Sequence, residues 1–455
     1  MAIISKNPAT LEVYGEYEEI SDDVLESKIS LASDTYNAWK ETSFEERKNL
    51  LLKLAKYLRE NKESLAQLAS IEMGKTLIAG VGEVEKCALC CEYYANGGEG
   101  MLKPQAVNIE GSEQYIRFDP IGVVLAVMPW NFPFWQVYRF IAPAVMAGNV
   151  GLLKHASNVP QCAEAIEKSF KEAGFPEGIF QNLFVSSHRV EKIIRDSRVV
   201  AVTLTGSEKA GSSVASIAGS EIKKTVMELG GSDPFMVCKD ADLKKAGEVA
   251  VKTRMQNNVG QSCIAAKRFI VHEDVVKEFE QILVSEVAKL VVGDPKDSST
   301  TVGPLATEQG MIDVETQVQK SVEMGAVVLA GGSRGDMKGY YYPPTVLTNV
   351  KKGMPVYDEE VFGPVLPIIT FKTEDEMIDI ANDTPYGLSA TLFTSDKGAI
   401  DRIVPKIDSG SVFVNKQVSS DPRAPFGGIK RSGYGRELSE YGIKEFVNVK
   451  YISIS

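Results

Sequence analysis

Residues 121–154 read IGVVLAVMPWNFPFWQVYRFIAPAVMAGNVGLLK. Ile121 to Met128 is an apolar run of strand length, a helical pattern starts at about Phe134, and Val150 to Lys154 is a second short apolar run. Two strands joined through a helix form a β-α-β unit, and such a crossover makes the strands parallel. Toward the C-terminus the alternation continues, with a helix near Gln161 to Ala173, a strand at Gln181 to Val185, a short helix near Arg189, a strand at Val199 to Leu204 and a helix from Ser207. A second series starts at Pro234, with a strand to Cys238, a helix from about Leu243, a strand at Arg268 to His272 and further alternation to about Asn415. The fold class is therefore α/β, with parallel sheets flanked by helices and binding expected at the carboxyl ends of strands. Toward the N-terminus, Ser21 reads as the N-cap of a helix to Lys40, followed by helices over Phe44 to Asn61 and Ala79 to Asn96, then a strand-like segment from Gln114 to Phe118. Phe426 to Gly435 reads as a long glycine-rich loop, and the terminal VNVKYISIS as a strand.

A chain of 455 residues exceeds one hydrophobic core, so two large domains with a small appendage are expected. The net charge of −11 and the absence of a Lys/Arg block exclude nucleic acid as a main partner. The most apolar stretch, residues 121–153, is broken by proline, glycine and asparagine, and the opening MAIISKNPAT has no signal-like apolar core; no membrane span and a cytoplasmic location are expected. Six cysteines suit a reducing compartment. Cys87 and Cys90 form a C-x-x-C, but in a helix-like segment with no second Cys or His pair nearby, so they read as packed thiols and no metal is expected.

Two motif-like segments carry no chemistry. Gly74-Lys75-Thr76 resembles the end of a phosphate-binding loop, but the glycine required five residues earlier is Ala69. Gly331 to Gly335 fits the nucleophile-elbow pattern around Ser333, yet His155, His188 and His272 all precede that serine, whereas its base should follow. The dinucleotide fingerprint G-x-G-x-x-G follows no strand, so a bound dinucleotide needs a variant turn.

Pro129-Trp130-Asn131-Phe132-Pro133, Glu228-Leu229-Gly230-Gly231-Ser232 and Gly260-Gln261-Ser262-Cys263 are each ambiguous alone: a turn asparagine, a strand-end glutamate, a buried thiol. In this order they resemble the aldehyde dehydrogenase superfamily. The likeness extends through Lys154, Thr205-Gly206-Ser207, Glu360-Val361-Phe362-Gly363-Pro364, Gly387-Leu388-Ser389-Ala390 and Pro425-Phe426-Gly427-Gly428, nearly the whole chain. It implies a cofactor domain, a catalytic domain and a small β oligomerisation arm, with NADP or NAD as cofactor. Cys263 would attack the aldehyde carbon, Asn131 and the Cys263 N–H would hold the resulting oxyanion, and Glu228 would activate water against the thioester. Retention of Glu228 speaks for hydrolysis over transfer to coenzyme A, and the intact Asn131, Glu228 and Cys263 against a non-catalytic relative.

By the same resemblance, Lys154 would reach the adenosine ribose, Trp130, Gly206 and Ser207 the pyrophosphate region, and Glu360 with Phe362 the nicotinamide ribose. Many NAD-selective members place a glutamate three residues after that lysine; here Ser157 stands there, so NADP acceptance is expected. Arg139 is the only charged side chain between Ile121 and Leu153 and must meet an anion, either an internal carboxylate or a substrate's. The resemblance to the bacterial succinate semialdehyde dehydrogenases favours the substrate, with Ser420 on the same carboxylate. A second arginine that some members carry is replaced by Asn257. Expected ranges are 1–112 and 131–231 for the cofactor domain, 232–432 for the catalytic domain, and 113–130 with 433–455 for the arm. The unpaired terminal strand predicts a homodimer or homotetramer.

Overall fold

The structure, a computed structural model, describes residues 3–110, 113–256 and 258–455. Strand Val123–Met128 sits at the middle of a six-stranded sheet in the order Gly433–Tyr434, Lys224–Glu228, Val199–Thr205, Val123–Met128, Val150–His155, Phe180–Asn182. Its strands run parallel except Gly433–Tyr434, which is antiparallel to Lys224–Glu228. Strands covered on both faces need continuous apolar sequence, and Val123–Met128 is buried along nearly its whole length.

The covering helices start where the sequence supplies a cap. Ser21 accepts from the Val24 N–H at the head of Asp22–Trp39, and Ser43 from the Glu46 N–H at the head of Phe44–Glu60. Helix Lys62–Met73 was not expected; only Asn61 separates it from the helix before. Leu77–Met101 is longer than read from the sequence and buries Cys87, Cys90 and Cys91, as packed thiols. These helices and the six-stranded sheet share one apolar core.

A second, seven-stranded sheet runs Val327–Ala330, Thr345–Thr348, Val365–Phe371, Arg268–His272, Pro234–Val237, Ser389–Phe393, Ser411–Val414, parallel but for the first strand. The molecule is thus two α/β domains, each with a largely parallel sheet. A separate three-stranded sheet pairs Val447–Ile454 with Glu113–Pro120 over eight residues, and the latter with Gln105–Ala106. Two expected boundaries shift. Residues 123–128, placed in the arm with 113–130, are the centre of the six-stranded sheet, because Gly122 at φ +136° turns the chain out of the arm. Gly433–Tyr434, expected in the arm with 433–455, pairs instead with Lys224–Glu228. No helix among the described residues is long and apolar enough to cross a membrane.

Candidate active site

From Val123–Met128 the chain connects onward on one side to Val150–His155 and then returns on the other side to Val199–Thr205. Such a reversal opens a crevice at the carboxyl ends of the strands. Pro129 to Pro133 leaves the central strand there and is held from two directions. Glu83, on the long helix Leu77–Met101, accepts from the Phe134 and Trp135 N–H groups at 2.9 Å each, capping helix Trp135–Ala147 from outside. His155, at the end of the adjacent strand, meets the Pro133 carbonyl through Nε2 at 2.9 Å while its Nδ1 accepts from the Ala156 N–H. Burial lowers the His155 pKa to about 4, so the neutral ring is a fixed strut. Lys75 pairs with Glu83 and lies 4.0 Å from the Phe132 ring centroid, so Gly74-Lys75-Thr76 supplies a buried counter-ion.

Asn131 is oriented at both ends of its amide: Oδ1 accepts from Gln136 Nε2 at 3.0 Å, and Nδ2 donates to the Gln261 carbonyl at 3.0 Å. An amide nitrogen has two hydrogens, so one N–H remains for another acceptor. Gln261 opens the turn to Cys263. Upstream, Asn258, Val259 and Gly260 have φ of 60°, 56° and 72°. A β-branched residue in the left-handed region is strained, typically by 1–3 kcal/mol, and here the Asn258 side chain ties the turn to the Asn131 and Gln261 carbonyls. Lys267 Nζ donates to the Ser262 and Cys263 carbonyls at 2.8 and 2.6 Å and pairs with Glu360 at 3.1 Å. Burial pushes the Cys263 thiol up to about 11, with Lys267 and Arg139 pulling it back.

Cys263 lines two chambers at once. One, of about 240 Å³, is walled by Trp130, Asn131, Gly206, Ser207, Glu360 and Phe362. Trp130 and Phe362 meet edge to face with centroids 5.9 Å apart, and Ser207 caps the helix Glu208–Ser220. Glu360 also accepts from the Gly231 N–H at 3.1 Å, and a Cβ at Gly230 would strike the Glu360 carboxylate, so glycine keeps this wall open. Lys154 and Ser157 stand outside this chamber, at and just beyond the end of the neighbouring strand; Lys154 is half-buried, Ser157 exposed. The other chamber, of about 290 Å³, is walled by Lys86, Phe132, Trp135, Arg139, Ser420 and Phe426. Of the expected site residues, Trp130, Asn131, Gly206, Ser207, Glu360 and Phe362 line the first chamber with Cys263, and Arg139 and Ser420 the second.

Glu228 does not line either chamber. Its carboxyl is buried beside Gly427, where a Cβ would come within 2.6 Å of Oε1, and it accepts no hydrogen bond from the described residues. Burial and the nearby Glu437 hold its pKa well above the ordinary range, against the pull of Arg139. Arg139 has an internal partner. Its guanidinium reaches the chamber, but it forms an ion pair with the buried Glu437, donates to Thr205 Oγ1 at 3.2 Å and stacks over Phe426. Of the two anions the sequence left open, the internal one is present. Asn257 lies outside the described residues.

Sequence reading missed Glu437, Lys267, Glu83 and Lys86. Lys86 was legible in principle, as a lone lysine set one turn after Glu83 and directly before the buried run from Cys87. No cluster of three His, Cys, Asp or Glu able to hold a metal ion occurs among the described residues.

The profile described as the aldehyde dehydrogenase family matches residues 2–452. A succinate-semialdehyde dehydrogenase (NADP+) of Mycobacterium tuberculosis is 50% identical over 458 residues, covering all of both chains. Its counterpart from Mycobacterium leprae is 49% identical, again over both full lengths. The solved succinic semialdehyde dehydrogenase of Streptococcus pyogenes in complex with NADP+ superposes with a TM-score of 0.96 at 38% identity, covering 99% of each chain.

Proposed function

The chain belongs to the aldehyde dehydrogenase family, and on that basis we propose that it oxidises succinate semialdehyde to succinate with NADP as the electron acceptor. The observation that carries the reading is that one thiol, Cys263, lines both chambers, so a molecule in either can reach the same sulfur. The sulfur adds as thiolate to the aldehyde carbon and leaves an alkoxide on oxygen. The remaining N–H of Asn131 and the backbone N–H of Cys263 hold that charge; such a donor is worth about 3 kcal/mol in the transition state. When bound, the nicotinamide dinucleotide supplies the acceptor for the hydride that leaves this carbon, and a Cys263 thioester remains. Glu228, with its pKa held high, takes the proton from the water that hydrolyses the thioester. Because its carboxyl lies outside both chambers, that role requires the side chain to turn toward Cys263.

The lining of the first chamber supports the reading that it takes the nicotinamide end of a dinucleotide. Trp130, Phe362, Glu360 and the head of helix Glu208–Ser220 surround it, with Gly230 leaving the space a Cβ would fill. Lys154 and Ser157 at the adjacent strand end present a cation and a hydroxyl to the adenosine ribose, with no carboxylate in Lys154-His155-Ala156-Ser157 to repel a 2′-phosphate. The edge strand Val447–Ile454 exposes Val449 and Tyr451 by 59% and 53%, a face suited to a second subunit. Initial rates for succinate semialdehyde, butanal and other short aldehydes with each cofactor test the reading. The semialdehyde with NADP should give the highest kcat/KM; equal kcat/KM for butanal and the semialdehyde would overturn the substrate assignment.

A further inference from the structure

Lys267 follows the nucleophile by four residues, and its side chain is 1% exposed. An ammonium has three hydrogens, and three acceptors answer them here: the Ser262 carbonyl at 2.8 Å, the Cys263 carbonyl at 2.6 Å and Glu360 Oε1 at 3.1 Å. Replacing a buried ion pair by apolar side chains of similar volume is often neutral or stabilising, so packing alone does not account for a charge in this place. The Ser262 carbonyl belongs to the same peptide group as the Cys263 N–H. No peptide bond among the described residues is cis, and in a trans peptide the carbonyl and the N–H point in opposite directions. A grip on the oxygen therefore turns the Cys263 N–H away from Lys267, and that N–H donates to no group among the described residues. A cation on the carbonyl also polarises the peptide and strengthens its N–H as a donor.

The other end of the clamp lies in the cofactor wall. Glu360 Oε1 is shared between Lys267 and the Gly231 N–H. A Cβ at Gly231 would come within 2.9 Å of the Cys263 carbonyl oxygen, so glycine lets this segment close on the turn. The Lys267 backbone N–H donates to the Asp233 carbonyl at 2.9 Å, which anchors it beside strand Pro234–Val237. Of the charged groups that act on the sulfur, Lys267 and Arg139 favour the thiolate, and Glu360 and Asp233 oppose it.

We propose that Lys267 is a positioning residue for the nucleophile: it fixes the Ser262–Cys263 peptide so that the Cys263 N–H meets the substrate oxygen, keeps a positive charge on the nucleophile's own turn, and ties that turn to Glu360. The inference rests on the reading of Cys263 as the nucleophile and of its N–H as an oxyanion donor.

Alkylation of Cys263 by iodoacetamide at pH 8, in the full-length protein without cofactor, tests the charge. Lys267→Gln keeps an amide donor for the carbonyls and removes the charge; it should slow alkylation by about tenfold, the equivalent of one pKa unit. Glu360→Gln keeps the shape and removes the opposing charge; it should speed alkylation by about threefold. A turn that had merely loosened would shift both variants in the same direction, so rates that move together, or either variant at the wild-type rate, would overturn the proposal. Lys267→Met also frees the peptide. With saturating NADP its kcat for succinate semialdehyde should fall about 100-fold below that of Lys267→Gln, with KM within about threefold. Equal kcat in the two would overturn the positioning, and where Lys267→Met does not fold, Lys267→Gln and Glu360→Gln decide. Turnover that survives complete alkylation of wild-type Cys263 would instead overturn the reading of Cys263 as nucleophile, while the variant rates would still decide what Lys267 does to the sulfur.

Discussion

On one side of Cys263 the wall is built from strand ends, glycines and two aromatic rings; on the other, aromatic rings stand among three cations, two of them bound to internal carboxylates and one with no carboxylate in ion-pair distance among the described residues. The first wall takes its shape from the sheet. Its residues sit where parallel strands end, and their positions follow from the sheet. The second wall carries three cations, and its residues come from segments far apart in the sequence: Lys86 from an early helix, Arg139 from the helix after the central strand, Ser420 from the loop after the last strand of the second sheet. Cys263 belongs to both walls, and its own environment is apolar enough to keep the thiol protonated in the free protein.

That last point gives the largest effect by which the comparison can be broken. With the thiol pKa raised to about 11, the reactive thiolate is a minor species at neutral pH and grows with rising pH. Alkylation of Cys263 by iodoacetamide, without cofactor, should accelerate about tenfold per pH unit and by about 1,000-fold from pH 7 to 10, followed by peptide mapping. A profile that levels off near pH 9 would show a thiol of ordinary acidity and a more polar junction between the chambers.

A smaller effect separates the two cations. Arg139→Met removes one half of a buried pair and leaves Glu437, whose pKa burial already raises, without its partner. The cost should be about 3 kcal/mol in urea unfolding, moderated by protonation of the glutamate. Lys86→Met leaves no orphaned carboxylate and should shift stability by less than about 1 kcal/mol. Equal destabilisation by both would show that Lys86 too is a structural cation. The smallest change probes the opposite wall: Ser157→Glu places a carboxylate beside the expected ribose phosphate and should move the ratio of kcat/KM for NADP over NAD by at least about tenfold toward NAD. An unmoved ratio would place the adenosine end elsewhere.

The difference between the walls also explains what the sequence disclosed. Strand Arg268–His272 and the helix capped by Ser21 were legible because the local pattern of apolar runs and caps decides them. Helix Lys62–Met73 was not, since no Pro or Gly marks the break at Asn61. The expected arm ran too far because the strand-like runs Gln114 to Phe118 and Ile121 to Met128 follow closely on each other, and the backbone at Gly122 is where the chain leaves one sheet for another. Trp130, Asn131, Gly206, Ser207, Glu360 and Phe362 were found through motifs and meet in one chamber. The Arg139 partner could not be found that way, because nothing local in the sequence links Arg139 to Glu437. Lys86 has no motif around it, and only the packing of its helix against the chamber brings it to Ser420.

The account stands on a covalent bond formed at the sulfur shared by the two chambers and broken by water that Glu228 activates. The most direct test is rapid mixing of Glu228→Gln with succinate semialdehyde and NADP, followed by mass mapping of the quenched protein. The account predicts one rapid equivalent of reduced cofactor per site, slow turnover after it, and one acyl group on Cys263. Loss of the rapid phase in step with steady-state turnover, or an unmodified Cys263 after a full burst, would contradict it.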